Sequence, residues 1–292
     1  MEYTDCGQRT LDYIEENMDR TLCLEELAGV ACFSPFHFHR VFQAMVGEPV
    51  MDYARKRRMT RAAERLFYSH DKVIDIAMEV GFDYQVSFTR AFKRSFGVSP
   101  REYRELPRPS GPLRGKAYLT QINISGGRNM NPKFVKKPAY QVIGYELDTT
   151  DADGQNNRDI PQFWQQYIQN NLRANIPDPL HPNEELGICT DFCPETSEFV
   201  YLIGMEVDDE TEPPEGLVKR SFPELDYVVF TTPEAEEDSF PSTIQSTWNY
   251  IFTEWFPQSE YEHSGDADFE LYDERCHGTR KKIDIYIPVK KR

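Results

Sequence analysis

The chain of 292 residues contains one sequence pattern twice between Leu24 and Tyr103. In each copy a short apolar segment precedes an aromatic-rich one. The aromatic-rich segments match at an offset of 50, through the pairs Phe38/Phe88, Arg40/Arg90, Phe42/Phe92, Gly47/Gly97 and Tyr53/Tyr103. Leu27 and Ile76 in the apolar segments match at an offset of 49, so the second copy has one extra residue at its turn. A repeat of this size is a supersecondary unit used twice.

Each copy predicts two short helices joined by a tight turn. The first helix of each pair has apolar residues at i, i+3, i+4 and i+7, which gives it one buried face. These residues are Leu24, Leu27, Ala28 and Ala31 in the first copy and Val73, Ile76, Ala77 and Val80 in the second. Ser34 before Pro35 marks the start of the next helix, and Asp83 is expected to cap its counterpart. Such a pair is a helix-turn-helix, the motif that reads the DNA major groove.

The second helix of each pair carries a set of outward-facing residues opposite its buried aromatic stripe. The expected outward residues are Phe36, His39, Arg40 and Gln43 in the first copy and Gln85, Val86, Thr89, Arg90 and Lys93 in the second. Each set contains an Arg in the same place, where a guanidinium can donate two hydrogen bonds to guanine O6 and N7. Two interpretations of Phe36 stay open: it contacts a thymine methyl group, or it covers the helix end.

A basic helix is predicted between the two copies, from Pro49 to about Tyr68. If it is rigid, it can place the two recognition helices one DNA turn apart, about 34 Å, so that one chain reads two successive major-groove segments. Its positive charges have two open interpretations, as neighbours of DNA phosphates or as members of intramolecular ion pairs. The basic residues are Arg55, Lys56, Arg57, Arg58, Arg61 and Arg65.

The second copy continues into a longer motif, Phe82-Asp83-x4-Phe88-Thr89-Arg90-Ala91-Phe92-Lys93-x2-Phe96-Gly97-x2-Pro100-x2-Tyr103. With this motif, residues 8–105 resemble the DNA-binding domain of AraC-type transcriptional regulators, especially the Rob-like branch. The resemblance implies a seven-helix domain with two DNA-reading motifs. Val86 departs from the polar residue common at its position. The positions that the resemblance assigns to DNA contact are Phe36, His39, Arg40, Gln85, Ser87 and Arg90.

Charge is divided unevenly along the chain, which carries 33 Lys and Arg against 49 Asp and Glu. The first 108 residues hold 16 of the basic and 17 of the acidic residues, which leaves 17 and 32 for the rest. Of the net charge of −16, −15 therefore lies in the C-terminal part, and the total does not argue against DNA binding by the N-terminal part. The length favours two domains. We expect a DNA-binding domain over 1–108, a Pro- and Gly-rich linker over 109–131 and a second domain over 132–292.

The second domain shows a fainter repeat of strand, helix, strand and strand. The predicted segments are 140–147, 160–172, 186–191 and 198–207 in one half, and 218–231, 241–255, 268–273 and 282–288 in the other. The predicted fold is therefore multidomain: an all-α double helix-turn-helix domain followed by an α+β domain of two β-α-β-β repeats. Two such halves would enclose a groove, and grooves of this kind are typical small-molecule sites.

The penultimate predicted strand contains polar residues, among them Glu270 and Tyr272, in the segment Asp268-Phe269-Glu270-Leu271-Tyr272-Asp273. With Trp255-Phe256-Pro257 and Ile285-Tyr286-Ile287-Pro288, this segment resembles the GyrI-like effector-binding domain over about 132–292. The resemblance implies a pocket for amphipathic, often cationic or aromatic compounds, with a strand glutamate as the anchor, a position that Glu270 matches.

From the residues alone, Glu270 and Tyr272 share one strand face, and a carboxylate beside aromatic rings suits an organic cation. Glu270 could also be an ordinary exposed strand residue, and the tryptophans could be core rather than ligand contacts. The predicted ligand-binding residues are Glu270, Tyr272, Trp164 and Trp248.

The predicted function is a sequence-specific DNA-binding transcription regulator, and not an enzyme, whose C-terminal domain senses a small amphipathic, cationic or aromatic ligand. Two alternatives for that domain stay open. It is a hydrolase that uses Glu270 and Tyr272 as general base and acid, or it is a protein-interaction module. The expected partners are double-stranded promoter DNA, a small-molecule effector and RNA polymerase. Two DNA-reading motifs in one chain favour a monomer.

The sequence also predicts a cytoplasmic protein without a membrane partner. Its first residues lack a secretory signal, and no apolar stretch approaches 18 residues. The six cysteines have irregular spacing, which favours reduced core thiols over a zinc site. We therefore expect neither a metal nor a cofactor.

Overall fold

The computed structural model describes residues 3–119, 130–193 and 196–292. It divides into two compact units, Met1–Ile122 and Asn123–Arg292. The first unit is helical, and the second contains an antiparallel sheet with helices. The predicted fold class, an all-α domain followed by an α+β domain, is confirmed.

Residues 3–119 contain seven helices, and the two predicted helix pairs are among them. The pairs are α2 with α3 and α5 with α6, and α4 connects them. Gly47 and Gly97, which end α3 and α6, have φ of 83° and 76°, a left-handed conformation that favours glycine. The helices are α1 (Tyr3–Glu16), α2 (Leu24–Ala31), α3 (Pro35–Val46), α4 (Val50–Tyr68), α5 (Val73–Glu79), α6 (Gln85–Phe96) and α7 (Pro100–Arg104).

The start of α6 differs from the prediction. Tyr84, not Asp83, is the N-cap residue, with extended backbone angles (φ −132°, ψ 132°). Its side chain forms no capping hydrogen bond, although aspartate is the better cap by type. The extra residue of the second turn shifts the helix start by one position, which leaves Tyr84 at the tip of the recognition helix.

Part of the predicted linker is bound to the helical unit. The Arg114 guanidinium pairs with Glu48 at 2.6 Å, and the Ala117 amide donates to the Tyr53 hydroxyl at 2.9 Å. The Leu119 amide donates to the Gln8 side chain at 2.8 Å. The expectation of a linker starting at residue 109 missed these contacts, because they join residues more than 50 positions apart. Residues 120–129 of the predicted linker lie outside the described residues.

The second unit is built on a long antiparallel sheet in the order β1-β6-β9-β8-β3-β4-β2-β5, with β7 paired to β9. Helix α9 continues as a π-helix, Ile251–Trp255, before the short α10. The elements are β1 (Lys133–Lys137), β2 (Tyr140–Thr150), α8 (Asn156–Gln169), β3 (Glu185–Thr190), β4 (Glu198–Val207), β5 (Val218–Phe222), β6 (Leu225–Thr231), α9 (Phe240–Tyr250), α10 (Phe256–Gln258), β7 (Tyr261–His263), β8 (Asp268–Tyr272) and β9 (Asp284–Lys291).

The sheet order is symmetric about the central pair β3 and β8. The first half, β2-α8-β3-β4, lies on one side and the second half, β6-α9-β8-β9, on the other, as the repeat predicts. The edge strands are exchanged, because β1 pairs with β6 and β5 pairs with β2. The single strand predicted over 218–231 is wrong: the segment forms two strands, β5 at one edge of the sheet beside β2 and β6 beside β1 at the other. Pro223, which lies between them, has no N–H to donate to a sheet ladder.

Alternation along the strands gives the sheet two different faces. One face forms a core around Val142, Ile188, Leu202, Tyr227 and Phe269, all between 0% and 2% exposed. On the other face, Tyr201 and its neighbours in β4 pack against Trp164 and Tyr167 of α8. Glu270 pairs with Gly187 in the central register, so it lies at the middle of the sheet.

Candidate DNA-binding and ligand-binding sites

The second recognition helix, α6, presents most of its predicted DNA-contacting residues to solvent. Gln85, Ser87 and Arg90 are exposed, and Thr89 is partly buried. On the opposite face of α6, Phe88 and Phe92 are fully buried and pack the helix against the core. The Ser87 hydroxyl donates to the Tyr84 carbonyl at 2.7 Å, so part of its hydrogen-bonding capacity is used inside the protein.

The first recognition helix, α3, is covered over a wider face than the sequence predicts. His39 is 1% exposed and lies in the core, so the expectation that it faces outward is wrong. Burial extends over the consecutive residues 37–39, whereas a single aromatic stripe would leave position 39 open. Phe36, Arg40 and Gln43 are partly exposed, and the Arg40 guanidinium lies over the Phe36 ring at 5.7 Å.

The basic residues of α4 bind to partners within the protein. Arg57 holds Glu15 with two hydrogen bonds of 2.6 and 2.9 Å, and Arg58 donates to the carbonyls of Val80 and Gly81 at 2.7 Å. Of the two interpretations of this cluster, the structure favours ion pairs. The remaining pairs are Arg55 with Asp52, Lys56 with Glu48, Arg61 with Glu79, and Arg65 with Asp71 and Glu79.

We expect Arg57→Ala to lower the free energy of unfolding by about 1–2 kcal/mol, since it leaves a mostly buried Glu15 carboxylate without its charged partner. The two side chains are only 11% and 18% exposed. Lys56→Ala, whose side chain is 38% exposed, should cost less than about 1 kcal/mol. Urea unfolding of the two variants measures the difference. Equal losses would show that Arg57 has no special structural role.

In the second unit, a carboxylate lies at the centre of a hydrogen-bonded aromatic cluster. The indole N–H of Trp248 donates to Glu270 Oε1 at 2.8 Å. The hydroxyls of Tyr272 and Tyr201 donate to Glu270 Oε2 at 2.8 and 3.2 Å. Glu270, Tyr272 and Trp248 are partly exposed, and Tyr201 is buried. The predicted ligand residues therefore meet in one place, which we call the Glu270 cluster: Trp164, Tyr201, Trp248, Glu270 and Tyr272.

Trp164 joins the cluster through Tyr201, which was not among the predicted ligand-binding residues. The Trp164 indole donates to the Tyr201 hydroxyl at 2.9 Å, and its ring lies 4.4 Å from that of Tyr272. Gly187 makes room for this arrangement, because a Cβ at that position would lie 2.2 Å from the Tyr201 hydroxyl oxygen. Helices α8 and α9 thus each supply one tryptophan to the cluster. Strand β4 supplies the Tyr201 hydroxyl, and β8, in the other half of the sheet, supplies the oxygens of Glu270 and Tyr272.

Burial shifts the acid–base properties of the cluster. It raises the pKa of Glu270, although the hydrogen bonds from Trp248, Tyr272 and Tyr201 oppose the rise; the negative charge of Asp268 adds to it. Burial also raises the pKa of Tyr201 and of Tyr272 well above that of a free phenol, and the nearby Glu270 charge acts in the same direction. The two phenols are therefore neutral donors at physiological pH.

Within residues 3–119, 130–193 and 196–292, no group of three or more His, Cys, Asp or Glu side chains is placed to hold a metal ion. Across those ranges, none of the helices combines the length and apolar character needed to cross a membrane.

Two known protein families match this chain, one in its N-terminal part and one in its C-terminal part. Residues 133–289, more than half of it, match the family described as integron-associated effector binding protein. Residues 27–106 match a helix-turn-helix domain family. The chain belongs to the AraC-type transcription regulators with a GyrI-like effector-binding domain. It is thus a DNA-binding regulator of transcription with a domain for small effectors.

Several known proteins are similar to this AraC-type regulator over about a third of its length. The chain is 39% identical over 102 residues to the TetD protein of transposon Tn10 from Escherichia coli, covering 35% of this chain and 74% of TetD. It is 36% identical over 94 residues to the multiple antibiotic resistance protein MarA of Escherichia coli, covering 32% and 74%. The match to the regulator YbfP of Bacillus subtilis is 40% over 104 residues, covering 36% of this chain and only 35% of YbfP.

Two solved structures are similar to the regulator at low sequence identity. The structure of SAV2435 bound to tetraphenylphosphonium is 18% identical, with a TM-score of 0.46, and covers 55% of this chain and 94% of that one. An integron cassette protein from the mobile metagenome of Vibrio cholerae is 20% identical, with a TM-score of 0.39, and covers 56% and 100%.

Proposed function

We propose that the effector of this regulator is a small monovalent cation with aromatic surface, and that it binds at the Glu270 cluster. One observation carries the proposal: all three hydrogen-bond donors to the partly exposed Glu270 carboxylate are neutral groups. They fix the carboxylate in place without neutralising its charge. A partly desolvated negative charge attracts a cation more strongly than an exposed one does.

The aromatic residues around the carboxylate define the rest of the ligand. Trp164, Trp248 and Tyr272 are partly exposed, so their rings are accessible to a cation that binds beside Glu270. Cation–π contact with such rings contributes about 0.5–2 kcal/mol in addition to the Coulomb attraction. A compact alkali ion lacks the apolar surface to use these rings, so an organic cation fits better.

The test is a pair of probes with the same shape and opposite charge. Calorimetric titration of the full chain should show saturable binding of tetraphenylphosphonium and no detectable binding of tetraphenylborate. Both probes carry four phenyl rings, so the pair separates charge from apolar contact. Equal affinities would mean that the aromatic groups bind without help from Glu270, and the proposal would fail.

The raised pKa of Glu270 gives a pH dependence with a defined sign. A raised pKa means that the carboxyl takes up a proton at a higher pH than an ordinary glutamate does, and the protonated form has no charge for the cation. Affinity for tetraphenylphosphonium should therefore fall as the pH is lowered, approaching about tenfold per pH unit below the pKa. Titrations between pH 8 and pH 5 measure this, and Glu270→Gln should show no such dependence.

We propose that the domain binds its ligand without converting it, in place of the hydrolase alternative. The high pKa of Tyr272 makes its hydroxyl a weak general acid, and burial raises the pKa of the Cys276 thiol to about 11, which makes it a poor nucleophile. Incubation with an electrophilic compound such as an aromatic epoxide, followed by mass spectrometry, tests this. Progressive loss of the compound that depends on Glu270 would support an enzyme instead.

For the N-terminal unit, we propose that both recognition helices read promoter DNA. The residues are Phe36, Arg40 and Gln43 on α3 and Gln85, Ser87, Thr89 and Arg90 on α6. Their partial or full exposure supports this assignment. We further propose that the chain acts as a monomer in the cytoplasm and contacts RNA polymerase there. Sedimentation with and without polymerase, and with a duplex carrying one binding site, tests the monomer and the polymerase contact.

A further inference from the structure

The exposed tip of α6 is apolar. Val86 is 64% exposed and Tyr84 is 73% exposed, whereas Val80 and Phe88 on either side of them are fully buried. Val86 lies in the first turn of α6. In a helix-turn-helix, this N-terminal part of the second helix is the part that contacts base edges. An exposed apolar side chain at that place is available to the DNA.

Val86 shares a helix face with Arg90. Residues four positions apart lie one above the other on a helix, and four residues rise about 6 Å. The rise of one base pair in DNA is about 3.4 Å. If Arg90 binds a guanine, Val86 therefore lies over the groove within about two base pairs of it. The two residues would therefore contact base pairs close to each other in one half-site.

The chemistry of the major groove leaves one partner for a valine. Its side chain neither donates nor accepts hydrogen bonds, and the apolar group that bases present in this groove is the C5-methyl of thymine. Placing valine over a cytosine N4 or an adenine N6 would take water from a donor without replacing its hydrogen bond. Ser87 next to it has its hydroxyl bonded to the Tyr84 carbonyl, so it competes weakly for the same base.

We propose that Val86 makes this regulator select a thymine within about two base pairs of the guanine read by Arg90. The proposal rests on the proposed reading of DNA by α6, and it names the base that α6 requires beyond guanine. One methyl group removed from water is worth about 0.8 kcal/mol, which corresponds to about a fourfold change in affinity.

The experiment begins with the full chain and a random double-stranded DNA library, from which bound duplexes are selected and sequenced. Each thymine of the selected half-site is then replaced by deoxyuridine, which removes the methyl group and keeps the base pair. We expect one such replacement to weaken wild-type binding about fourfold. Val86→Ala should weaken binding to the thymine duplex, and the same deoxyuridine replacement should then have no further effect. Because Val86 is exposed and Ala favours helix, the variant should fold.

A matched control is Met78→Ala, which removes a 55% exposed apolar side chain from α5, the first helix of the same motif. This variant should keep the full sensitivity to deoxyuridine. If guanine is selected and Arg90→Ala weakens binding, but no deoxyuridine replacement changes wild-type affinity, DNA reading by α6 stands and the thymine proposal is overturned. If no sequence is enriched at all, the proposed DNA reading fails and the thymine proposal with it.

Discussion

Glu270→Gln is expected to weaken tetraphenylphosphonium binding by about tenfold to a hundredfold, or 1–3 kcal/mol. Glutamine has nearly the same size and offers a carbonyl oxygen to the Trp248 indole, which is 2.8 Å from Glu270 Oε1. Its amide N–H₂ can donate to the hydroxyls of Tyr201 and Tyr272, because a phenol oxygen also accepts hydrogen bonds. The substitution therefore removes the charge and keeps the network. Calorimetric titration of both proteins gives the two affinities.

A control is needed for the net charge, which is −16 for the whole chain. Glu212→Gln deletes one negative charge from an exposed loop of the same unit and should leave tetraphenylphosphonium affinity within about twofold of wild type. An equal loss in both variants would assign the effect to the general field of the domain. An unchanged affinity in Glu270→Gln would remove Glu270 as the anchor.

Arg90→Ala is expected to weaken binding to a selected duplex by about 1–3 kcal/mol and to leave binding to scrambled DNA nearly unchanged. Arg90 is exposed on α6, where its guanidinium is available for a guanine edge. Arg40→Ala should act in the same direction on the other half-site. Its effect should be smaller, because Arg40 is partly buried and lies over the Phe36 ring. Electrophoretic mobility or anisotropy assays on selected and scrambled duplexes measure both quantities.

The matched control for charge is Arg101→Ala, an exposed arginine on α7 outside the two recognition helices. It should leave the ratio of specific to non-specific affinity unchanged. If Arg90→Ala and Arg40→Ala also keep that ratio, sequence reading by the two motifs is wrong. A uniform loss on every duplex would instead indicate a contact with phosphates.

Local patterns in the sequence were sufficient for most of the secondary structure and for much of the site. Strand β4 runs over Glu198–Val207, the bounds predicted from the sequence. Glu270 and Tyr272 lie on one strand face, and the Tyr272 hydroxyl bonds the Glu270 carboxylate. The shared face follows from the two-residue period of a strand, which needs no knowledge of distant contacts.

The features that escaped prediction depend on contacts between distant residues. Tyr201 reaches Glu270 across 69 positions, and only the order of strands in the sheet brings them together. Arg57 binds Glu15 across 42 positions. Its positive charge, which the sequence alone could also assign to DNA phosphates, therefore forms an intramolecular ion pair. His39 has the helical position of a surface residue, but it is buried because α3 is covered on more than one face.

The most direct test of a regulator controlled through Glu270 is the affinity of the full chain for a selected duplex, measured with and without saturating tetraphenylphosphonium. A ligand changes DNA affinity only if it binds the two states of the protein unequally, and such coupling is typically 1–3 kcal/mol. We predict a change of at least about fivefold for wild type and less than about twofold for Glu270→Gln at the same concentration. Equal wild-type affinities in the presence and absence of the bound cation would contradict the account.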